Sequence, residues 1–179
     1  LVIKNESNSL KLDKNILIAE SGATISELID ITKEESLSGL EHFSGIPSTV
    51  GGAIWQNLHF LTPDRKQTYY IESIIDSVEI LNLDGSQTLV GKDYFKFGYD
   101  YSILHEKEII VTEVRFRLEY KDKNLIKNQI YENLKWRNEK QPQLEEFPSC
   151  GSVFKKIEGV GAGRLIEKAG LKKYKSGAI

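Results

Sequence analysis

Two segments of the chain combine residue types that can hold a nucleotide or move a proton. The first runs from Gly45 to Ala53 with the sequence Gly-Ile-Pro-Ser-Thr-Val-Gly-Gly-Ala. Glycine lets backbone N–H groups come close to a planar ring or a phosphate, and proline fixes the loop so that those donors stay aimed. The segment lacks the Walker and dinucleotide-binding patterns. It is interpreted either as a loop that cradles a nucleotide cofactor or as a tight connection between packed elements.

The second segment is a turn of small residues followed by a hydroxyl, an aromatic ring and a cation. It runs from Pro148 to Lys155 with the sequence Pro-Ser-Cys-Gly-Ser-Val-Phe-Lys. The hydroxyl of Ser152 on such a turn can face a cleft, and Lys155 can hold a phosphate or stabilise a developing anion. The sequence around Ser152 offers no general base and is not the Gly-x-Ser-x-Gly elbow of hydrolases, so an acyl nucleophile is not expected. A purely structural turn is the alternative.

Histidine and cysteine add little chemistry by their spacing. His42 and His59 have no cysteine or acidic cluster around them in the sequence. We therefore expect structural roles for both and no metal site. The chain has one cysteine, Cys150, which excludes a disulfide within the chain and fits a reducing compartment.

Composition and charge exclude several classes of protein. Of 179 residues, 40% are hydrophobic and 28% are charged, the balance of an ordinary globular protein. The formal net charge of −2 gives no global attraction for nucleic acid. No apolar run approaches membrane-spanning length, and residues 1–9 lack the basic-then-apolar form of a signal peptide. We expect a cytoplasmic protein that binds neither nucleic acid nor a membrane.

The elements before and around the glycine-rich loop follow from local patterns. Short β-branched runs within residues 1–21 are typical of strands joined by turns. Thr24 and Glu27 have capping-box spacing, and the apolar residues after them recur on one face, which predicts a helix to about Glu35. The stretch 39–57 then predicts a constrained loop that enters a short helix.

Alternating residues predict antiparallel strands later in the chain. Residues 77–90 alternate on both sides of Asp84-Gly85, which is the strongest hairpin pattern in the sequence. Residues 113–119 also alternate, with valine, phenylalanine and leucine between charged residues. This pattern predicts a strand with one buried face and one wet face. The sheet is therefore expected to be at least partly antiparallel.

The last third of the chain changes to a helical pattern. Ile126, Ile130 and Leu134 have fourfold spacing, which predicts a helix over residues 124–139. The polar residues 121–123 before it are interpreted as a domain boundary, which gives domains of 1–120 and 121–179. A short helix is expected around residues 164–169, and Gly170 has the type and position of a residue that ends a helix.

Four motifs, in the same order along the chain, resemble those of one enzyme family. In UDP-N-acetylenolpyruvoylglucosamine reductases the loop usually has the sequence Gly-Ile-Pro-Gly-(Ser/Thr)-Val-Gly-Gly-Ala, and residues 45–53 match it with Ser48 at the fourth place. Their serine motif, Pro-Ser-(Ala/Cys)-Gly-Ser-(Val/Phe)-Phe, is matched by residues 148–154. Residues 97–102 resemble the family's Tyr-Arg-x-Ser segment, and residues 162–171 resemble the helix after the serine motif. The resemblance covers most of the chain.

The resemblance implies a fold and a cofactor. The fold is α+β, with a mixed sheet and helices in an FAD-binding domain of the PCMH or vanillyl-alcohol-oxidase type, followed by a smaller α+β substrate-binding domain. Residues 1–120 would be the remainder of the FAD-binding domain, and 121–179 the start of the substrate-binding domain. The residues expected against FAD are Gly45, Ile46, Pro47, Ser48, Thr49, Gly51, Gly52, Ala53 and Asn57.

The resemblance also implies an activity and a set of working residues. In this family FAD takes a hydride from NADPH and passes it to the double bond of UDP-N-acetylglucosamine enolpyruvate, which gives UDP-N-acetylmuramate for peptidoglycan. The family's serine, here Ser152, then supplies a proton, and a hydroxyl on a rigid turn suits that role. Tyr99 and Asp100 stand at the family's Tyr-Arg positions. Lys140 and Lys155 are the candidates for the substrate's diphosphate and carboxylate, with solvated surface charges as the alternative.

One departure from the family pattern reverses a charge. Asp100 stands where the family has arginine, and two like charges about 4 Å apart would cost on the order of 4 kcal/mol at an effective dielectric of ~20. Our preferred interpretation is that Asp100 points elsewhere and that Lys96, Arg115 or Lys155 supplies the cation. Different substrate contacts or a lost activity are the alternatives. After Asn57, the family's small residues are replaced by bulkier ones, which predicts a bulkier flavin wall.

The family pattern extends beyond both ends of the sequence. The resemblance places Leu1 inside the FAD-binding domain and Ile179 before a segment that carries a catalytic glutamate. We therefore expect the sequence to be a fragment of a longer protein. The protein is expected to be a monomer. A non-catalytic relative that binds a flavin or a nucleotide sugar is one alternative, and a different oxidoreductase on the same scaffold is another.

Overall fold

Short β-branched and apolar runs form the strands, and longer stretches with helical spacing form the helices. The computed structural model describes residues 4–141, 153–155, 157 and 159–176. Within them the strands are β1 (Leu10–Asp13), β2 (Ile16–Glu20), β3 (Leu37–Ser38), β4 (His59–Leu61), β5 (Thr68–Tyr70), β6 (Ile75–Leu81), β7 (Gln87–Val90), β8 (Ile110–Arg117) and β9 (Glu119–Tyr120). The helices are α1 (Ile25–Glu34), α2 (Val50–Gln56), α3 (Lys123–Lys140) and α4 (Ala162–Lys168).

Five strands form the main sheet, in the order β1-β2-β8-β6-β7. Each neighbouring pair is antiparallel, including the predicted hairpin of β6 and β7. The α+β class is confirmed, with the refinement that the described strands pair antiparallel and not in a mixed pattern. Alternation of side chains places one face of β8 in the core, where Val114, Phe116 and Leu118 are buried, as the sequence pattern of this strand predicted.

Helix α1 packs against β3 and α3 and begins with the predicted capping box. Thr24 Oγ1 accepts a hydrogen bond from the Glu27 amide at 3.2 Å, and the Glu27 carboxylate accepts one from the Thr24 amide at 2.8 Å. These two bonds satisfy backbone donors that the first helical turn leaves unpaired. The predicted apolar face is also confirmed, because Ile25, Leu28 and Ile29 are buried.

We expect that replacing Thr24 with alanine lowers the free energy of unfolding by about 1 kcal/mol, since the side-chain half of the capping box is lost. Urea denaturation followed by circular dichroism measures the change. Thr88 on the exposed strand β7 offers the matched control, because Thr88→Ala removes the same atoms away from any helix terminus. Equal losses in the two variants would contradict the capping assignment.

Helix α3 belongs to the same compact unit as the main sheet. Chain contacts divide the protein into Leu1–Gln141 and Pro142–Ile179, so the division follows α3, whereas the expected boundary preceded it. The physical reason is buried polar pairing. Asn133 is fully buried and donates from Nδ2 to the carbonyl oxygens of Glu41 at 3.2 Å and His42 at 3.3 Å. The buried stripe of α3 therefore includes Asn133, whereas Leu134, which shares the fourfold spacing of Ile126 and Ile130, is 38% exposed.

The second unit is described only in part. Ile157 and Val160 form an isolated antiparallel bridge, and α4 follows it. The prediction of a short helix here is confirmed, and Gly170 follows its C-cap residue, Ala169, as expected. Among the described residues, no helix combines the length and apolar character needed to cross a membrane.

Candidate functional site

The glycine-rich segment forms a loop and the first turn of α2. Gly45 has a φ of 77°, a left-handed conformation in which a β-carbon is strained. A β-carbon there would also lie 2.9 Å from Leu134 Cδ2 and 3.0 Å from Arg137 Nε. Glycine is therefore favoured at this position by its conformation, and a larger residue would also displace the side-chain ends of Leu134 and Arg137. Thr49 then caps α2, because its side chain accepts a hydrogen bond from the Gly52 amide at 3.2 Å.

Two glycine amides of this loop serve the fold, which differs from the expectation that they point at a ligand. The Gly51 amide donates to the Ser21 carbonyl at 2.8 Å, and the Val50 amide donates to the Ala23 carbonyl at 2.8 Å. A β-carbon at Gly51 would lie 3.2 Å from the Ser21 oxygen, so glycine permits this close packing. Within the described residues, the loop amides that make no hydrogen bond are those of Gly45, Ser48 and Thr49.

The outer face of α2 has the shape and chemistry of a cradle. Gly52 is exposed, and a β-carbon there would lie 3.3 Å from Ser48 Oγ and 3.4 Å from Thr49 Oγ1. A flat group could lie against this backbone, with two hydroxyls and two unused amides at its edge. These donors and acceptors fit a flavin nucleotide, which presents a planar ring with polar edges and a diphosphate.

Asn57 joins the end of α2 to the segment that carries Tyr99. It adopts a left-handed conformation with φ 52°, and its side chain is fully buried. Its Nδ2 donates to the carbonyl oxygen of Gly98 at 3.1 Å and to Glu72 Oε1 at 3.3 Å. Among the described residues Asn57 Oδ1 has no hydrogen-bond partner. Asn57 thus fixes the distance between the glycine-rich loop and the Tyr99 segment.

Tyr99 and Asp100 lie beyond the C-terminal end of α2. Gln56 Nε2 donates to Asp100 Oδ1 at 3.0 Å, and His59 Nδ1 lies 3.7 Å from the same oxygen. Burial, followed by the charge of Asp100 and a hydrogen bond to it, raises the pKa of the Tyr99 phenol. Tyr99 therefore stays a neutral hydroxyl at physiological pH, and its side chain is 41% exposed. The structure brings Tyr99, Asp100 and His59 together.

The carboxylate of Glu41 anchors the start of the glycine-rich loop. It is buried and accepts hydrogen bonds from Ser38 Oγ at 2.5 Å and from the Gly39 amide at 2.6 Å. His42 follows it and stacks on Tyr69 with ring centroids 3.5 Å apart. Burial lowers the pKa of the His42 imidazole, which is therefore neutral. The stacking gives His42 a packing role.

Arg137 is a candidate that the sequence did not single out. Its side chain lies against Gly45, at the first residue of the loop, and is half-buried. Burial lowers the pKa of its guanidinium. No carboxylate or other acceptor among the described residues pairs with it. The signal available in the sequence was its spacing of four from the buried Asn133 on the same helix face.

The remaining predicted residues are exposed or lie outside the described part. Ser152, the predicted proton donor, lies outside the described residues. Lys140 is exposed in the last turn of α3. Lys155 is exposed in the second unit, where it has interactions of its own. Two of the proposed alternative cations are also placed, since Arg115 pairs with Glu113 at 3.2 Å and Lys96 is exposed.

Family models match both parts of the chain. The model described as FAD binding domain matches residues 1–91, the part that contains the loop and α2. The model described as UDP-N-acetylenolpyruvoylglucosamine reductase, C-terminal domain, matches residues 141–179. The chain belongs to the UDP-N-acetylenolpyruvoylglucosamine reductase family. The sequence-based identification of this reductase family and the expectation of an FAD-binding domain are thereby confirmed.

Relatives of this reductase family align along nearly the whole chain. The UDP-N-acetylenolpyruvoylglucosamine reductase of Caldanaerobacter subterraneus subsp. tengcongensis is 39% identical over 90% of this chain and 51% of the relative. That of Limosilactobacillus fermentum is 34% identical over 99% of this chain and 56% of the relative. The crystal structure of the Thermus caldophilus reductase superposes with a TM-score of 0.72 at 32% identity, over 86% of this chain and 53% of that one. The chain thus spans about half the length of the relatives it matches.

Proposed function

We propose that the full-length protein is an FAD-dependent reductase that converts UDP-N-acetylglucosamine enolpyruvate to UDP-N-acetylmuramate, with NADPH as hydride donor. The observation that carries the proposal is the cradle on α2, where exposed Gly52 lies between Ser48 and Thr49 in a part of the chain matched by the FAD-binding family model. The relatives named above are reductases of this enolpyruvyl sugar nucleotide. The protein would work as a cytoplasmic monomer in peptidoglycan synthesis.

FAD supplies hydride transfer when it is bound, and the chain supplies position and charge. Ser48, Thr49 and Gly52 would hold the flavin nucleotide, with Ile46, Pro47 and Ala53 shaping the loop. Asn57 fixes the spacing from this loop to Tyr99, whose neutral hydroxyl is hydrogen-bonded to Asp100 and can accept a hydrogen bond from the substrate. Ser152 would deliver a proton to the carbon next to the carboxylate. Lys140 and Lys155 would bind the substrate's phosphate or carboxylate oxygens.

The half-buried guanidinium of Arg137 is a candidate contact for negative charge. Among the described residues no acceptor pairs with it, and a nearby anion would remove the cost of burying its charge. Since Arg137 lies against Gly45 at the start of the loop, we infer that it stabilises negative charge on the bound flavin or on the sugar nucleotide.

Replacing Arg137 with glutamine in the full-length protein is expected to weaken FAD or substrate binding by about tenfold, because a charge-assisted hydrogen bond is lost. Retained flavin absorbance after gel filtration measures FAD binding, and KM measures the effect on the substrate. Lys135 lies on the same helix and is exposed, so Lys135→Gln is the matched control. Equal behaviour of the two variants would remove Arg137 from the site.

The proposed function as a whole is tested with the full-length protein. It should purify with the absorbance spectrum of an oxidised flavin and oxidise NADPH in proportion to added UDP-N-acetylglucosamine enolpyruvate. UDP-N-acetylglucosamine, which has no double bond to reduce, is the control substrate and should give no NADPH oxidation above background. A colourless protein, or a yellow one that is indifferent to the enolpyruvyl substrate, would contradict the proposal.

The charge at Asp100 favours one other function. If its carboxylate repels the anionic substrate, the protein is a relative that binds a flavin or nucleotide sugar without turnover. Calorimetric binding of UDP-N-acetylglucosamine enolpyruvate together with no NADPH oxidation, and with binding unchanged in Ser152→Ala, would favour this second function over the first.

A further inference from the structure

A histidine and an aspartate meet at the C-terminal end of α2, the helix whose first turn carries the proposed flavin cradle. His59 Nδ1 lies 3.7 Å from Asp100 Oδ1, and the two side chains are 22% and 13% exposed. Gln56 Nε2 holds the same carboxylate oxygen at 3.0 Å. The rings of Tyr99 and Tyr70 flank His59, with centroid distances of 5.0 and 5.5 Å. The pair is therefore fixed from three sides and still open to solvent.

The pair orients the imidazole. His59 Nδ1 lies 3.7 Å from the carboxylate oxygen, beyond hydrogen-bond distance, so the contact places Nδ1 on the Asp100 side of the ring and Nε2 on the opposite side. Within residues 4–141, no hydrogen bond engages His59 Nε2. A second-layer carboxylate of this kind selects the ring orientation and leaves the other nitrogen to contact a ligand.

Other cations of the first unit are occupied elsewhere or lie free in solvent. Arg115 pairs with Glu113, and Arg117 pairs with Asp76, both on the main sheet. Lys96, one of the cations expected from the sequence, is exposed and has no ion pair among the described residues. This leaves His59 as the cation-forming group that the structure places beside Asp100.

We propose that His59 contacts the carboxylate of the enolpyruvyl substrate on the side of Tyr99, with Asp100 as the residue that positions it. The inference rests on the proposed function, because that function supplies the carboxylate. An N–H on Nε2 of His59 would donate to the substrate carboxylate, and the imidazole would lie between that carboxylate and Asp100, so the negative residue at position 100 no longer directly faces an anionic ligand. Asp100 thereby acts through His59 and does not itself touch the substrate.

The test compares two ligands in the full-length, FAD-loaded protein. UDP-N-acetylglucosamine enolpyruvate carries the carboxylate, whereas UDP-N-acetylglucosamine is the same sugar nucleotide without it. We expect His59→Gln to weaken calorimetric binding of the enolpyruvyl ligand by about ten- to a hundredfold and to leave UDP-N-acetylglucosamine unchanged. The KM for the enolpyruvyl substrate should rise accordingly, while the rate of flavin reduction by NADPH stays at its wild-type value.

Two further variants separate positioning from direct contact. Asp100→Asn keeps the size of the side chain and an oxygen that accepts from Gln56. It should therefore weaken binding of the enolpyruvyl ligand less than His59→Gln does. Adding Asp100→Asn to His59→Gln should cause no further loss, because Asp100 acts through His59. Lys96→Gln is the control for the alternative cation and should match wild type. Thermal melting of each variant shows whether it is folded.

Specific outcomes overturn the proposal. Equal weakening of both ligands by His59→Gln would show a structural role, and a larger effect of Lys96→Gln would assign the carboxylate to that lysine. Independent, additive losses in the double variant would show that Asp100 does not act through His59. If the wild-type protein binds both ligands without oxidising NADPH, the proposed function fails, while the ligand comparison still tests His59.

Discussion

Replacing Ser152 with alanine in the full-length protein is expected to slow reduction of the enolpyruvyl substrate by about 10²- to 10⁴-fold, the usual contribution of a positioned proton donor. Reduction of the flavin by NADPH is expected to keep its wild-type rate, because that half of the reaction requires no proton from Ser152. The variant should therefore hold its flavin in the reduced state when NADPH and substrate are both present.

Stopped-flow absorbance of the flavin separates the two half-reactions. NADPH is mixed with the oxidised protein in one experiment, and substrate with the reduced protein in the other. Ser149 lies in the same segment and has the same side chain, so Ser149→Ala is the matched control and should reoxidise at the wild-type rate. A Ser152→Ala protein that reoxidises as fast as wild type, or that loses both half-reactions equally, would refute the role of Ser152 as proton donor.

Local patterns in the sequence were sufficient for much of the fold. The helix α1 follows from the Thr24 and Glu27 pair and from apolar spacing, because both depend only on residues within a few positions of one another. The hairpin of β6 and β7 follows from alternation around Asp84-Gly85 for the same reason. The buried face of β8 could equally be predicted from the sequence, since side chains on a strand alternate with a period of two.

Features that depend on contacts between residues far apart in the sequence could not be predicted from local patterns. Helix α3 is held partly by Asn133, whose partners at Glu41 and His42 are more than ninety residues earlier in the chain. A buried asparagine has no periodic signature, so the sequence contained no sign of this contact. Arg137 became a candidate only because this packing brings it to Gly45.

The candidate site likewise has features that the sequence predicted and features that only the structure showed. The loop at residues 45–53 was recognisable from its sequence, but the amides of Gly51 and Gly52 bond to Ser21 and Thr49 and so serve the fold. Glycine composition alone cannot distinguish a backbone that approaches a ligand from one that approaches another strand or loop. Likewise, the charge reversal at Asp100 was visible in the sequence, whereas its neighbour His59 was identified by the structure.

Replacing Glu41 with alanine is expected to lower the free energy of unfolding by about 3 kcal/mol. The change leaves the Ser38 hydroxyl and the Gly39 amide without their buried acceptor, and each such group costs about 1–3 kcal/mol. Lys121, which lies 3.6 Å from the carboxylate and is 40% exposed, can turn to solvent and adds little to the loss. Urea denaturation at neutral pH measures the change, with exposed Glu35→Ala as the control.

The pH dependence of stability distinguishes the charge of Glu41 from its shape. Burial by itself raises the pKa of this carboxyl, but the hydrogen bonds from Ser38 and Gly39 outweigh burial and hold the pKa below its usual value. A carboxyl with a lowered folded-state pKa adds stability that is full above its unfolded pKa, ~4.3, and is lost as the pH falls through the folded value. Wild type should therefore lose stability in this acid range.

Glu41→Gln keeps the size of the side chain and an oxygen acceptor but cannot titrate. Its free energy of unfolding should lie below that of wild type at pH 7, and the difference should shrink as the pH falls below about 4.3, because protonation removes the charge from wild type as well. Since Glu41 anchors the residues that lead into the loop at 45–53, the Gln variant should also retain less FAD at neutral pH. A difference in stability that is constant from pH 7 to the acid range would show that the carboxylate charge contributes nothing.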